Sequence, residues 1–173
     1  NGFAQQKPKL VIGIVVDQMK TEYLYRFSDD FSENGFKRLM KNGYTFQNTH
    51  YNYMPTYTGP GHASIYTGTT PAVHGIVGNE WFNRATQTEL YCTEDINVET
   101  IGDGTESEGK MSPKNLQSTT ITDELKLATN FKGKVIGISL KDRGAILPAG
   151  HFADWAFWYS KTGAFISSKS SGV

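Results

Sequence analysis

The chain has 173 residues, 38% of them hydrophobic and 20% charged, which is enough for one domain with a real core. Its 17 basic residues balance 17 acidic ones, so a global field of the kind that recruits nucleic acid or an anionic membrane is excluded, and any anion site must be local. The longest apolar run, Leu10 to Val16, is far short of the ~20 residues of a membrane span, and the single cysteine, Cys92, excludes an internal disulfide.

In chain order, residues 1–8 read as a polar N-terminal extension, consistent with what remains after removal of a signal peptide whose hydrophobic part is not in this sequence. Residues 9–168 read as one folded stretch. Lys9 to Met19 ("KLVIGIVVDQM") is continuously apolar, as expected of a strand covered on both faces, with Asp17 at its carboxyl end. "NGFKRLMKNG" predicts a helix through Phe36, Leu39 and Met40 that stops at Gly43. "YTFQNTHYNY" predicts extended chain, and "GHASIYTG" a short helix. Glu94 to Lys110 carries six acidic residues and three glycines with little periodicity, which predicts an exposed, mobile excursion. Next, Thr120 and Asp123 form a capping pattern for a helix with Ile121, Leu125 and Ala128 on its apolar face, followed by Gly133 and a buried strand. After Trp158 the pattern fades, and residues 169–173 read as a flexible tail.

Alternation of strand, helix and strand predicts an α/β fold with a mostly parallel sheet, whose ligands sit at the carboxyl ends of the strands. Three segments bring polar groups to that edge. Asp17 ends the first strand. Thr58 precedes a Gly-Pro-Gly turn into a helix, where free N–H groups favour an anion. Lys141 and Arg143 follow "VIGISL" and aim the same way if the backbone stays extended. Each has a plainer explanation when taken alone: a turn, a cap, a solvated strand end, and for Asn79 a turn after Gly78. His62 and His74 read as structural hydrogen-bonding residues. Gly59-x-Gly61-x-x-Ser64 lacks the third glycine and the acidic partner of a dinucleotide fingerprint, so a nicotinamide cofactor is rejected.

Together, "LVIGIVVDQM", "MPTYTGPGHASIYTGTTPAVHGIVGNEW" and "SLKDRGAILPAGH" resemble the phosphate-irrepressible alkaline phosphatases of the alkaline phosphatase superfamily, close to the nucleotide pyrophosphatase/phosphodiesterases. The similarity runs from about Lys9 to about Ser167 and is to the N-terminal portion of that family. It implies an alkaline-phosphatase-like α/β domain. It also implies two zinc ions, with Asp17 binding one, and Thr58 as a metal-bound nucleophile that forms a phosphothreonine. Asn79, Lys141 and Arg143 would grip the phosphoryl oxygens. A monomeric, periplasmic or secreted enzyme acting on small-molecule phosphate monoesters is the expectation.

Two cations match the two non-bridging charges of a monoester better than the single charge of a diester, which favours phosphomonoesterase over phosphodiesterase. A non-catalytic α/β module that binds an anion is the third reading. The family's further zinc ligands, an Asp-x-x-x-His pattern, an Asp-His dipeptide and a late His, do not occur in this sequence, and His50, His62, His74 and His151 stand elsewhere. Asp17 and Thr58 by themselves cannot hold two zinc ions.

Overall fold

The computed structural model describes residues 8–170 and divides into two compact units, the first ending at Thr49 and the second beginning at His50. The first unit holds two short helices, α1 (Tyr23–Arg26) and α2 (Phe36–Asn42), joined through a 3-10 turn at Ser28–Asp30. Helix α2 ends at Gly43, as expected. The apolar run Leu10–Val16 departs from expectation: it joins no ladder among the described residues, and Leu10 is 74% and Ile14 77% exposed. A run of this kind is buried only where strands flank it and layers cover it, and no described strand pairs with it.

The second unit opens with α3 (Thr58–Thr67), which starts ahead of the predicted helix and ends at Gly68 with φ +68°. A single turn, α4 (Pro71–His74), and a hairpin of β1 (Glu80–Asn83) and β2 (Thr88–Tyr91) follow, with Glu80 paired to Tyr91. The rest comprises β3 (Val98–Ile101), α5 (Ile121–Ala128), β4 (Ile136–Ile138), α6 (Asp142–Ala149), β5 (Trp155–Tyr159) and β6 (Phe165–Ser170). The four-stranded sheet has the order β3-β6-β5-β4. Its β4–β5 pair is parallel and its other two pairs antiparallel, so the expected α/β architecture is realised as a mixed sheet flanked by helices.

The parallel pair needs a crossover, and α6 supplies it. Helix α6 packs on β4 and β5 and, on its other side, against α3. Gly137 in β4 is required by this approach, because a side-chain carbon there would collide with the Ala145 carbonyl and lie 2.9 Å from Ala149 Cβ. Two apolar clusters result. Leu147 joins Ala63, Ile76, Cys92 and Leu116 on the α3 side, whereas Ala145 and Ile146 join Trp158 and Ile166 on the sheet side.

The acidic segment Glu94–Lys110 is folded onto the sheet rather than forming a mobile excursion. Strand β3 pairs with β6, Val98 and Asp95 are buried, Trp158 Nε1 donates to the Glu108 carbonyl at 3.0 Å, and Glu108 closes a capping box with Thr105. The partner that orders it, β6, runs to Ser170, and residues 1–7 of the expected extension and 171–173 of the expected tail lie outside the described residues.

Helix α5 carries the predicted Thr120–Asp123 capping box, but its buried face is polar. Ile121 is 67% exposed, while Asp123 is 0% and Lys126 5% exposed. Asp123 accepts from the Thr120 and Phe152 N–H groups, and Lys126 Nζ reaches the Gly133 carbonyl and Asp154 Oδ2, at 3.1 and 3.0 Å. Asp154 also accepts from Lys134 Nζ and the Val135 N–H, which pins the amino-terminal end of the parallel β4–β5 pair. Partial burial works against the Asp154 carboxylate, but Lys134, the Val135 N–H and Lys126 together hold its pKa far below the usual range. Its stabilising contribution is therefore present at neutral pH and is lost only as pH falls below ordinary carboxylate values.

Replacing Asp154 by Asn leaves Lys126 as an uncompensated buried charge and should cost about 3–5 kcal/mol. Lys126→Met removes that charge and leaves Asp154 with Lys134, so its cost should be clearly smaller. Urea unfolding midpoints check this, and equal losses would contradict the pairing.

Candidate functional site

The carboxyl ends of β4 and β5 face the same edge of the sheet as the start of α6. Ser139 and Leu140 lead from β4 to Lys141, which is the N-cap of α6 with extended backbone (φ −122°, ψ 145°). The Lys141 carbonyl accepts from the Gly144 and Ala145 N–H groups, so the helix begins at once and Arg143 lies in its first turn. This corrects the expectation that Lys141 and Arg143 share an extended segment. Lys141 is exposed, and its ammonium has no partner among the described residues. Arg143 is half-buried, donates from Nη1 to the Tyr91 hydroxyl at 2.6 Å, and has a buried Nε with no hydrogen-bond partner among the described residues. Burial works against its charge, but the Tyr91 hydroxyl and Asp142 raise its pKa above the ordinary value, so the guanidinium stays charged.

Thr58 is the first residue of α3, half-buried, and Tyr57 precedes it without a side-chain cap. The next N–H, from Gly59, donates to Asn79 Oδ1 at 2.7 Å. This bond orients the Asn79 amide with its oxygen toward Gly59, and among the described residues its NH2 group has no hydrogen-bond acceptor. Gly59 is needed here, since a side-chain carbon would stand 3.1 Å from the Gly78 carbonyl, 3.2 Å from Asn79 Oδ1 and 3.4 Å from Cys92 Sγ. His62, one turn on, bonds through Nδ1 to the Thr58 carbonyl at 2.8 Å. A carbonyl only accepts, so Nδ1 carries the proton. Its Nε2 lies 3.9 Å from where a side-chain carbon at Gly144 would stand, so the opening turns of α3 and α6 lie side by side.

Of the five residues singled out from the sequence, Thr58, Asn79, Lys141 and Arg143 fall in the second unit at this helix junction. Asp17 lies in the first unit, exposed, in a turn with Gln18 at φ +60°. Sequence reasoning missed Tyr91, Thr93 and Asp142. Tyr91 closes a hairpin strand, Thr93 follows it, and Asp142 separates the two cations in "KDR"; none carries a local signal, because the contacts span 49 to 52 residues. Among the described residues no group of three or more His, Cys, Asp or Glu is placed to hold a metal ion. The Cys92 thiol is pushed up to about 12 by burial and by Asp142. Both ring nitrogens of His74 are engaged. The residues present therefore do not fit a two-zinc centre on their own.

His74 is fully buried and structural, as expected. Its Nδ1 accepts from the Ile76 N–H at 3.1 Å, so in the neutral ring Nε2 carries the proton and donates to Ser64 Oγ at 2.9 Å. Burial lowers its pKa from the ordinary 6.5. Below that pH the unfolded chain binds a proton that the folded one resists, so stability falls as pH drops through and below 6.5. His74→Gln should flatten the slope of unfolding free energy between pH 7 and 5, and an unchanged slope would contradict the neutral assignment.

Residues 11–170 match the family described as type I phosphodiesterase / nucleotide pyrophosphatase. The chain is 57% identical to a protein named calcium-transporting ATPase from Myroides odoratus over 94% of its length. It is 55% identical to alkaline phosphatase PhoV of Synechococcus elongatus over 94%, and 52% identical to alkaline phosphatase PafA of Elizabethkingia meningoseptica over 95%. It spans about 30% of the length of each of these relatives. The 1.7 Å crystal structure of wild-type PafA superposes with a TM-score of 0.93 at 52% identity, covering 95% of this chain and 32% of that one. A PafA variant with a threonine changed to serine, and an asparagine, a lysine and an arginine changed to alanine, matches with the same TM-score at 49% identity, over 95% of this chain and 32% of that one. With the family matched across nearly all of its sequence, the chain belongs to the type I phosphodiesterase / nucleotide pyrophosphatase family.

Proposed function

We propose that the second unit carries the phosphoryl-binding part of a phosphate monoester hydrolase, with Thr58 as nucleophile and Asn79, Lys141 and Arg143 holding the non-bridging oxygens. The observation that carries this reading is the set of donors left over at the α3–α6 junction. Arg143 Nε is buried without an acceptor, the Asn79 NH2 group is unspent, and the Lys141 ammonium is unpaired among the described residues. A buried N–H on a cation is costly to leave unmet, and a phosphoryl oxygen supplies a charged acceptor. The four residues replaced in the PafA variant have the types, order and spacing of Thr58, Asn79, Lys141 and Arg143, which supports treating them as one set.

In this reading Thr58 Oγ1 attacks phosphorus in line, the ester oxygen leaves as an alcohol, and water then hydrolyses the phosphothreonine. Asn79, Lys141 and Arg143 neutralise charge on the transferring group throughout. Two zinc ions accompany this chemistry in the resembled family. Asp17 and Thr58 are the donors this chain offers them, fewer than two ions require, so the metal centre is not a property of these residues alone. A monomeric enzyme with a periplasmic or secreted address belongs to the same proposal.

The runner-up, a phosphodiesterase, is favoured by the family description. The two cations argue for the monoester.

In the complete protein, Thr58→Ala should abolish covalent phosphate incorporation after acid quench while Thr58→Ser keeps some activity. Persistent labelling of Thr58→Ala would mean a different nucleophile. Lys141→Ala and Arg143→Ala should each lower monoester turnover by about 10²–10³-fold and diester turnover less. Equal losses on matched aryl substrates would favour the diesterase, full activity in all three alanine variants would overturn the assignment of these residues, and no turnover by the unmutated complete protein would leave the non-catalytic module.

A further inference from the structure

Arg143 does not pair with the carboxylate next to it in sequence; a phenol stands between them. The Tyr91 hydroxyl lies 2.8 Å from Asp142 Oδ1 and 2.6 Å from Arg143 Nη1. An ionised carboxylate only accepts and a guanidinium only donates. The single phenolic proton therefore goes to Asp142, and a lone pair of the same oxygen faces Arg143. Thr93 Oγ1 donates to Asp142 Oδ2 at 2.5 Å and holds the carboxylate plane, while the Tyr91 ring centroid lies 5.7 Å from Arg143 Cζ.

The geometry points to Tyr91 as a positioning residue for Arg143, with Asp142 and Thr93 fixing the direction of its proton, a role that rests on Arg143 holding the phosphoryl group. A carboxylate bonded directly to the guanidinium would occupy two of its N–H groups and offset its charge. The phenol occupies one N–H, adds no charge and leaves Nε unpartnered among the described residues. Burial first, and then the Asp142 charge, push the Tyr91 pKa well above its ordinary value, so the phenol keeps the proton this arrangement needs even in alkaline solution.

The test is inhibition by inorganic phosphate, together with turnover of matched aryl mono- and diesters, in the complete protein carrying Tyr91→Phe, Arg143→Ala or both. Tyr91→Phe alone should weaken phosphate binding about tenfold, as expected for the loss of a hydrogen bond to a charged group, and should lower the monoester-to-diester preference. In the Arg143→Ala background it should change either quantity less than about twofold, since the residue it acts through is gone. An equal loss in both backgrounds, with the preference unchanged, would reduce Tyr91 to a structural support and overturn the proposal. Unaltered phosphate affinity in Arg143→Ala alone would remove the reading beneath it, and the proposal with it. Thr93→Val keeps the shape and frees one side of Asp142. It should move affinity and preference in the same direction by a smaller factor, and it decides the matter if Tyr91→Phe does not fold.

Discussion

Burial of α6 on both sides is the constraint from which the rest of the second unit follows. Ala145 to Ala149 are all buried, with Leu147 turned to the cluster shared with α3 and Ala145 and Ile146 turned to the sheet. A helix held in two apolar layers has little freedom to rotate or slide, because close-packed interiors resist even small displacements. Its first turn therefore has a fixed place, and Lys141, Asp142 and Arg143 come with it. The cluster that grips Leu147 also contains Ala63, Ile76 and Cys92, which lie within a few residues of His62, Asn79 and Tyr91. One packing arrangement thus sets the backbone beneath every polar group at the junction.

The two ends of the parallel β4–β5 pair are used differently. At the amino-terminal end, Asp154 is saturated by Lys126, Lys134 and the Val135 N–H, and the strands are tied there. At the carboxyl-terminal end the polar groups are ordered but not saturated. Among the described residues, Asn79 spends its oxygen and keeps its NH2, and Arg143 spends one N–H on Tyr91 and keeps Nε. Buried donors are normally matched within a fold. The one buried side-chain donor left unmatched among the described residues, Arg143 Nε, lies at the edge where α/β proteins take ligands, and the proposed phosphoryl site rests on it.

Features governed by local rules were legible in the sequence. The Thr120–Asp123 capping box, the end of α2 at Gly43 and the α/β class needed only neighbouring residues or the periodicity of short segments. Features governed by distant partners were not. Leu10–Val16 reads as a buried strand, yet burial depends on neighbours that the run itself does not encode. Asp123 and Lys126 are buried because Phe152 and Asp154, far along the chain, meet them, which inverts the apolar face predicted for α5. Thr58, Asn79, Lys141 and Arg143 are singled out only through the family resemblance, since each taken alone reads as a cap, a turn or a solvated strand end. The i, i+2 argument for the cations failed because α6 begins at Asp142, and Tyr91 carried no signal because its partners lie 51 and 52 residues away.

The most direct measurement is the NMR resonance of Arg143 Nε–H during titration of the complete protein with inorganic phosphate. A phosphoryl oxygen meeting the orphaned donor predicts a saturable downfield shift and slowed exchange at this one site, with the exposed Arg84 unmoved. Saturable phosphate binding that leaves the Arg143 Nε resonance unchanged would contradict the claim that the junction of α3 and α6 is where the phosphoryl group is held.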